Sequence, residues 1–371
     1  MASATSGRVL FLDGLRGVAL IFMVLNHTAR WWLDLSVGMP RYHIIYLTVP
    51  LSAPLFLFLV GFCLPLSYLN STVARGESFG RVAVRYLRRG ALLVPMGCLL
   101  TLLVFPDEPL FGGEVLQTIG LSIIGLTPLL PLLSRRLARP LLLVLVLAWY
   151  ATFHLALPSL RGWLAGHPVV AEVWFSGFPL WPWFAFPLLG AALGSVWAER
   201  HGTDAGDRAF FSVVLAAGVA CLAAFLPLEL WLGSAPLHFS SRRDLVLNRH
   251  WNPGAVTCLF ILGYIFTALP LVHYLMETRR WRPRWLVVLG QNALMLYFVH
   301  QIIALTLVRQ RFGVLFSSWW LWALANVALL ALLVGLGWLW PEIKRRARRL
   351  ISRRSQSGAP SLAATPRYPP T

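Results

Sequence analysis

The chain has 371 residues, 58% hydrophobic and only 12% charged, with a net charge of +18. A soluble domain holds roughly 45–50% apolar and about 25% charged residues, so this composition excludes a soluble enzyme. In a soluble protein, 32 basic against 14 acidic residues would point to nucleic acid. Here apolar stretches of about 20 residues recur along most of the chain, and a membrane protein without a nucleic-acid partner is the more economical reading. Cys63, Cys98, Cys221 and Cys258 all fall in apolar stretches, so neither a disulfide framework nor a metal site is expected.

In chain order, hydropathy predicts about ten spans, near 9–29, 46–69, 91–105, 115–133, 141–157, 177–197, 210–232, 254–276, 286–308 and 317–340. The first contains Asp13 and Arg16 and lacks a small-residue cleavage site, so it reads as a retained span and not a signal peptide. Pro50, Pro54 and Pro65 interrupt the second span, and Pro179, Pro182 and Pro187 the sixth. Such breaks are tolerated where backbone lines a cavity or is buried in protein. With the first loop outside, the inner segments hold 23 Arg and Lys and the outer ones 8. That bias places both termini in the cytoplasm of a multi-pass protein of the cytoplasmic (inner) cell membrane. The fold class is therefore all-α, a polytopic bundle over residues 1–340. Residues 341–371 form a basic tail expected to be disordered. Its polybasic run, 342–354, either binds anionic headgroups or is an ordinary positive-inside stop. Tryptophans near the span ends, such as Trp31, Trp32, Trp319 and Trp320, read as interfacial belts.

Ionisable groups in a membrane helix are costly, and each is a functional candidate. The densest set lies in the first span, where Asp13, Arg16 and His27 fall within an arc of roughly 60° on a helix. Asp13 and Arg16 can pair, and Arg16 lies roughly 16 Å along the axis from His27. An Arg near the cytoplasmic end can hold a phosphate bidentately, and an imidazole deeper in can take a proton from an acceptor hydroxyl or amine. The same residues could instead form a packing ion pair and an interfacial histidine. Gln117, Gln291 and Asn292 are amides suited to cross-linking helices or orienting a ligand, with His300 nearby in sequence. His43 lies just before the second span. His154, Glu229 and His273 stand alone on apolar stretches. Asp13, Arg16, His27 and Glu229, together with His154 and His273, could alternatively serve a proton-coupled transporter.

Asp13-Gly14-Leu15-Arg16-Gly17, with ten residues between Arg16 and His27, resembles the Arg-x10-His signature of the acyltransferase-3 family of integral-membrane acyltransferases. Residues 51–61, residues 114–120 and residues 182–194 are similar to the related group of heparan-α-glucosaminide N-acetyltransferases and their bacterial relatives, and Leu289-Gly290-Gln291-Asn292-Ala293-Leu294 with Tyr297 and His300 resembles the late-helix motif found across this superfamily. The resemblance implies a ten-helix bundle that moves an acyl group, commonly acetyl, from a cytoplasmic coenzyme A thioester. The acceptor would be a hydroxyl or amine of a carbohydrate or other envelope compound at the opposite face. It implies His27 as catalytic histidine, Arg16 as essential arginine and Asp13 as its partner; Arg16, with the amides Gln117 and Asn292, is then the expected donor-binding set. In the animal branch the position matching His27 is not histidine and the catalytic histidine comes later, which makes His43 a secondary candidate, as is His300.

The basic bias generates a topology map. Reporter fusions at residues 80 and 280 and at the C-terminus will read cytoplasmic, and those at 36 and 165 will read external. A cytoplasmic reading at 165 would remove one of the two shortest crossings, 91–105 or 141–157.

Overall fold

The computed structural model describes residues 9–133, 135, 138–175, 177–231 and 253–357. The described residues form a helical bundle, with ten helical stretches long and apolar enough to cross a membrane. The helices are α1 (Leu10–Trp32), α2 (Met39–Thr48), α3 (Ala53–Leu69), α4 (Phe79–Val104), α5 (Val115–Leu126), α6 (Leu130–Leu133), α7 (Ala138–Ala165) and α8 (Pro168–Phe175). They continue as α9 (Leu180–Trp183), α10 (Ala185–Arg200), α11 (Asp204–Trp231), α12 (Ala255–His273), α13 (Arg284–Gln291), α14 (Ala293–Gln301) and α15 (Trp319–Ser357).

Several boundaries differ from those read off hydropathy, and each difference has a local cause. The third span, predicted at 91–105, belongs to a helix that begins at Phe79. Its first half carries Arg81, Arg85, Arg88 and Arg89, which lower hydropathy yet are good helix formers. The fifth span runs from Pro140 to Ala165. The ninth, predicted as one helix over 286–308, is divided at Asn292, where the backbone (φ −111°, ψ 17°) leaves the helical region. The last helix continues through the basic run to Ser357. There Glu342 pairs with Arg345 and, at 3.1 Å, with Arg346, one turn away. Residues 358–371 of the predicted tail lie outside the described residues.

The prolines act as their positions suggest. Residues 49–52 leave the helix between α2 and α3, Pro54 starts α3, and Pro65 is carried inside it. Residues 177–179 are non-helical ahead of α9, and within that short helix Trp181 is extended.

Helix association in a bilayer relies on close backbone approach at small residues. α1 crosses α13 in this way: a Cβ on Gly290 would lie 1.8 Å from the Asp13 carbonyl oxygen, and one on Gly17 would lie 2.3 Å from that of Leu286. The Gly14 and Gly17 of the first motif thus set a packing distance. α10 lies on α3 by the same device, since Gly190 and Gly194 face the carbonyls of Phe58 and Phe62.

Gly290→Ala will force α1 and α13 apart and lower the unfolding midpoint in detergent by several degrees, an overpacking cost of about 1–3 kcal/mol. Gly335→Ala, on α15 with open space where its Cβ would sit, will be neutral or slightly stabilising, because alanine is the better helix former. Thermal unfolding of the two variants side by side checks the assignment.

Candidate functional site

Helix α1 carries its polar groups at two levels. Near its N-terminus Asp13 is buried, and one of its carboxylate oxygens accepts from Arg16 Nη1 at 2.8 Å. The other oxygen accepts from Gln291 Nε2 at 3.4 Å. Arg16 Nη2 also lies 3.0 Å from Cys63 Sγ on α3. The expected ion pair is present and joins three helices.

Three turns further on, His27 is half-buried and stacked on Trp31 with ring centroids 4.7 Å apart, and its ring lies nearly parallel to that of His300, edge to edge, with centroids 5.2 Å apart. His27 Nδ1 and His300 Nε2 are 3.0 Å apart, and His300 Nδ1 lies 3.1 Å from the Leu296 carbonyl. A carbonyl can only accept, so His300 holds its proton on Nδ1. With both rings neutral, His300 Nε2 then accepts from His27 Nδ1–H, and the lone pair of His27 resides on Nε2. A histidine oriented by a second group in this way has the form of a general base.

His27 lines a pocket of about 650 Å³ built from the C-terminal turns of α1 and α4 and the broken segments around them. Val49 and Ser52 come from the break before α3, Asp107 to Glu114 from the α4–α5 loop, and Gly177 and Phe178 from the break before α9. These walls are tied together. Phe178 N–H donates to the Gly113 carbonyl at 2.8 Å, and Thr118 Oγ1 donates to the Phe178 carbonyl. Gly113 has φ +78°, a conformation that favours glycine.

The pocket is acidic. Asp107, Glu108, Glu114 and Glu172 line it against Arg30. Glu114 caps the N-terminus of α5 by accepting from Leu116 N–H at 2.6 Å, and it also accepts from the Tyr297 hydroxyl. Burial pushes its carboxyl up to about 7 despite those hydrogen bonds, and burial likewise raises Glu108.

A second concavity of about 820 Å³ lies along the N-terminal half of α4. Arg81, Arg85, Arg88 and Arg89 edge it together with Glu77, which pairs with Arg85, and Leu92, Leu93, Met96 and Leu294 line its apolar part. Both cavities share α4 and α14. Met96 faces the groove and Thr101 the pocket, while Leu294 and Tyr297, three residues apart, do the same on α14.

The remaining candidates are dispersed. Gln117 is buried, donates to the Leu110 carbonyl at 2.7 Å and so fixes the α4–α5 loop. Asn292 donates to the carbonyls of Val288 and, at 3.2 Å, Gly337, joining α13 to α15. Arg16, Gln117 and Asn292 line neither the pocket nor the groove. His43 Nδ1 donates to the Met39 carbonyl at 2.9 Å, away from the pocket lining. His154 packs beside Phe153 and Tyr150, and His273 stacks on Phe211; neither lines the pocket. Glu229 falls on α11, with its side chain outside the described residues.

Sequence reasoning did not single out Glu114 or Tyr297 as site residues, although both stand in the motifs quoted above. The available signals were a carboxylate directly ahead of a span and an aromatic hydroxyl one turn before His300. The α4 arginines were read only as topology, although Arg81, Arg85 and Arg88 recur at helical spacing on one face.

A helical bundle with ten apolar spans defines a multi-pass membrane protein. The profile of the family described as heparan-alpha-glucosaminide N-acetyltransferase, catalytic, matches residues 8–228, well over half the chain. The chain belongs to that family, and membership supports membrane acetyltransferase activity. Among curated proteins none matches the chain closely enough to count as a relative. His300, the partner of His27, lies beyond the matched residues.

The tautomers can be read directly. Nitrogen shifts of ¹⁵N-histidine-labelled protein will place the proton on Nδ1 of both His27 and His300. His300→Ala will return His27 to a mixture of tautomers and lower acyl transfer roughly 10–10³-fold, as expected when a base loses its orienting partner.

Proposed function

We propose that this protein is an acyl-CoA-dependent N-acetyltransferase of the cytoplasmic membrane. It would pass acetyl from a cytoplasmic coenzyme A thioester to an amine of a carbohydrate or other envelope compound presented at the opposite face. The observation that carries this reading is the His27–His300 pair, whose hydrogen bonds leave the His27 lone pair on Nε2 within an acidic, walled pocket. His27 would accept the proton released as the acceptor nitrogen attacks the thioester carbonyl.

The donor side is supported by the groove on α4. Four guanidinium groups beside an apolar trough suit a ligand with phosphates at one end and a long neutral arm at the other. Because α4 and α14 contribute to the linings of both cavities, an arm laid along α4 from the arginines would run toward the pocket that holds His27. Arg16, paired with Asp13 and Cys63 and outside both linings, would act by fixing α1 against α3 and α13. Four carboxylates against one guanidinium around the pocket favour a cationic acceptor over a neutral or anionic one. The family name supports nitrogen as the acceptor atom.

Purified protein in nanodiscs, supplied with labelled acetyl-CoA and a panel of amino sugars, tests the proposal. His27→Ala will lower turnover about 10²–10⁴-fold while donor binding persists. Arg85→Ala/Arg88→Ala will raise the donor KM severalfold with kcat nearly unchanged. Turnover of His27→Ala within a fewfold of wild type would remove His27 as the base.

A further inference from the structure

We propose that Glu114 is a second proton acceptor of the site, which receives the acceptor amine as an ammonium ion and takes the first of its two departing protons. The inference rests on the amine-acceptor reading above and assigns it a residue.

The chemistry requires two acceptors. An amine near neutral pH carries three protons on nitrogen and no lone pair. Loss of one to the Glu114 carboxylate leaves a neutral amine, whose lone pair attacks the thioester carbonyl and forms the C–N bond. A second nitrogen proton passes to His27 Nε2. The C–S bond breaks, sulfur leaves with the electron pair, and the thiolate takes that proton from His27 to become the thiol. Glu114 then releases the first proton to water at the pocket mouth. The sum is ammonium plus thioester giving amide, thiol and one proton. A hydroxyl acceptor has one proton to move, and His27 alone would suffice.

The structure fits this role in three respects. Glu114 lines the same pocket as His27. Its carboxylate is held in place, one oxygen by the Tyr297 hydroxyl and the other by Leu116 N–H. The backbone N–H groups of Val115 and Gln117 at the start of α5 also bear on it and favour its charged form. Opposing influences act on its charge. The N-terminus of α5 favours the carboxylate and burial favours the acid, which leaves it near 7 and able to exchange a proton at neutral pH. The ionisable groups around it are His27, Arg30, Asp107, Glu108, Glu172 and Tyr297 on the pocket side, with Cys98 on α4 behind it.

The experiment compares full-length wild type and Glu114→Gln in nanodiscs, with labelled acetyl-CoA and primary amines of similar size but graded basicity. Gln keeps an oxygen for Leu116 N–H and turns its amide N–H toward the Tyr297 hydroxyl, which can accept, and it cannot take the proton. In the variant only the neutral fraction of the amine reacts. The wild-type-to-variant rate ratio at pH 7 is therefore expected to rise with amine pKa, by up to about tenfold per unit, and to shrink as pH is raised toward 9. A ratio that is flat across the series would overturn the inference and leave Glu114 a helix cap. Failure of wild type to acylate any amine would overturn the amine reading itself, and this inference with it. Tyr297→Phe is the second variant, for use if the glutamine does not fold. Without the phenol donor the carboxyl binds its proton more tightly, so the acid limb of the pH–rate profile moves to higher pH. An unmoved limb overturns the role.

Discussion

A polar atom inside a bilayer-spanning bundle must find its partner in another helix, and α1 carries more such atoms than any neighbour could satisfy alone. Asp13 and Arg16 are met by Gln291 and Cys63. Asn26 donates to the Ile45 carbonyl and to Thr48 on α2, and accepts from Arg30. Thr28 donates to Asn326 on α15, Trp32 donates to the Ala304 carbonyl, and His27 meets His300. The stripe on one helix thus dictates which helices surround it. Gly17 and Gly290 set how closely α13 may approach. The position of His27 relative to His300 is a consequence of that arrangement, because α13 and α14 are successive segments divided only at Asn292.

The pocket depends on the opposite principle. Where α2 gives way to α3, α4 to α5 and α8 to α9, the chain leaves the helix, and backbone polar groups become available away from any helical ladder. Such segments are stable at membrane depth only when they line a cavity or bond one another. Both conditions are met: Gly113 and Phe178 bond across two loops, Gln117 holds the Leu110 carbonyl, and all three breaks contribute to one wall. Proline and glycine here do more than end helices. They supply non-helical backbone that, with the polar side chains of α1, α4 and α14, walls the pocket.

Much of this was legible in the sequence, for reasons that can be named. Ten spans follow from hydropathy because apolar length is the dominant constraint in a bilayer. The pairing of Asp13 with Arg16 follows from helical spacing. The prolines of the second and sixth spans mark breaks that either line a cavity or are buried in protein, and the breaks before α3 and α9 line the pocket. What could not be read was mostly tertiary. Nothing in the sequence says that His27, among the chain's nine histidines, would meet His300 at a distance of 273 residues. Amides are equally ambiguous: Gln117 and Asn292 look like ligand-holding groups, yet both bond backbone carbonyls that hydropathy cannot locate. Charge was ambiguous for a different reason. Arginines that fix topology and arginines that edge a groove have the same composition, and only the face they share on α4 separates the two uses.

The two cavities differ in sign, and that difference bears on direction. The groove is edged by four arginines, one of them paired with Glu77, and the pocket by four carboxylates against Arg30, so the fixed charge along α4 runs from positive to negative. On the proposed reading, a polyanionic donor would be attracted at one end and repelled at the other, and a cationic acceptor would experience the reverse. Neither reactant would then be favoured at the other's entrance, and the neutral acetyl group would be what passes between them. Met96 and Thr101 on α4, and Leu294 and Tyr297 on α14, bound the short stretch between the two linings. Glu114 stands at that junction: a Cβ on Gly97 would lie 3.0 Å from one of its carboxylate oxygens, and the Tyr297 hydroxyl donates to the other. The carboxylate proposed to receive the acceptor is therefore also packed against the helix along which the donor is proposed to lie. On that reading one side chain stands between two oppositely charged reactants, both of which would have to reach the same histidine.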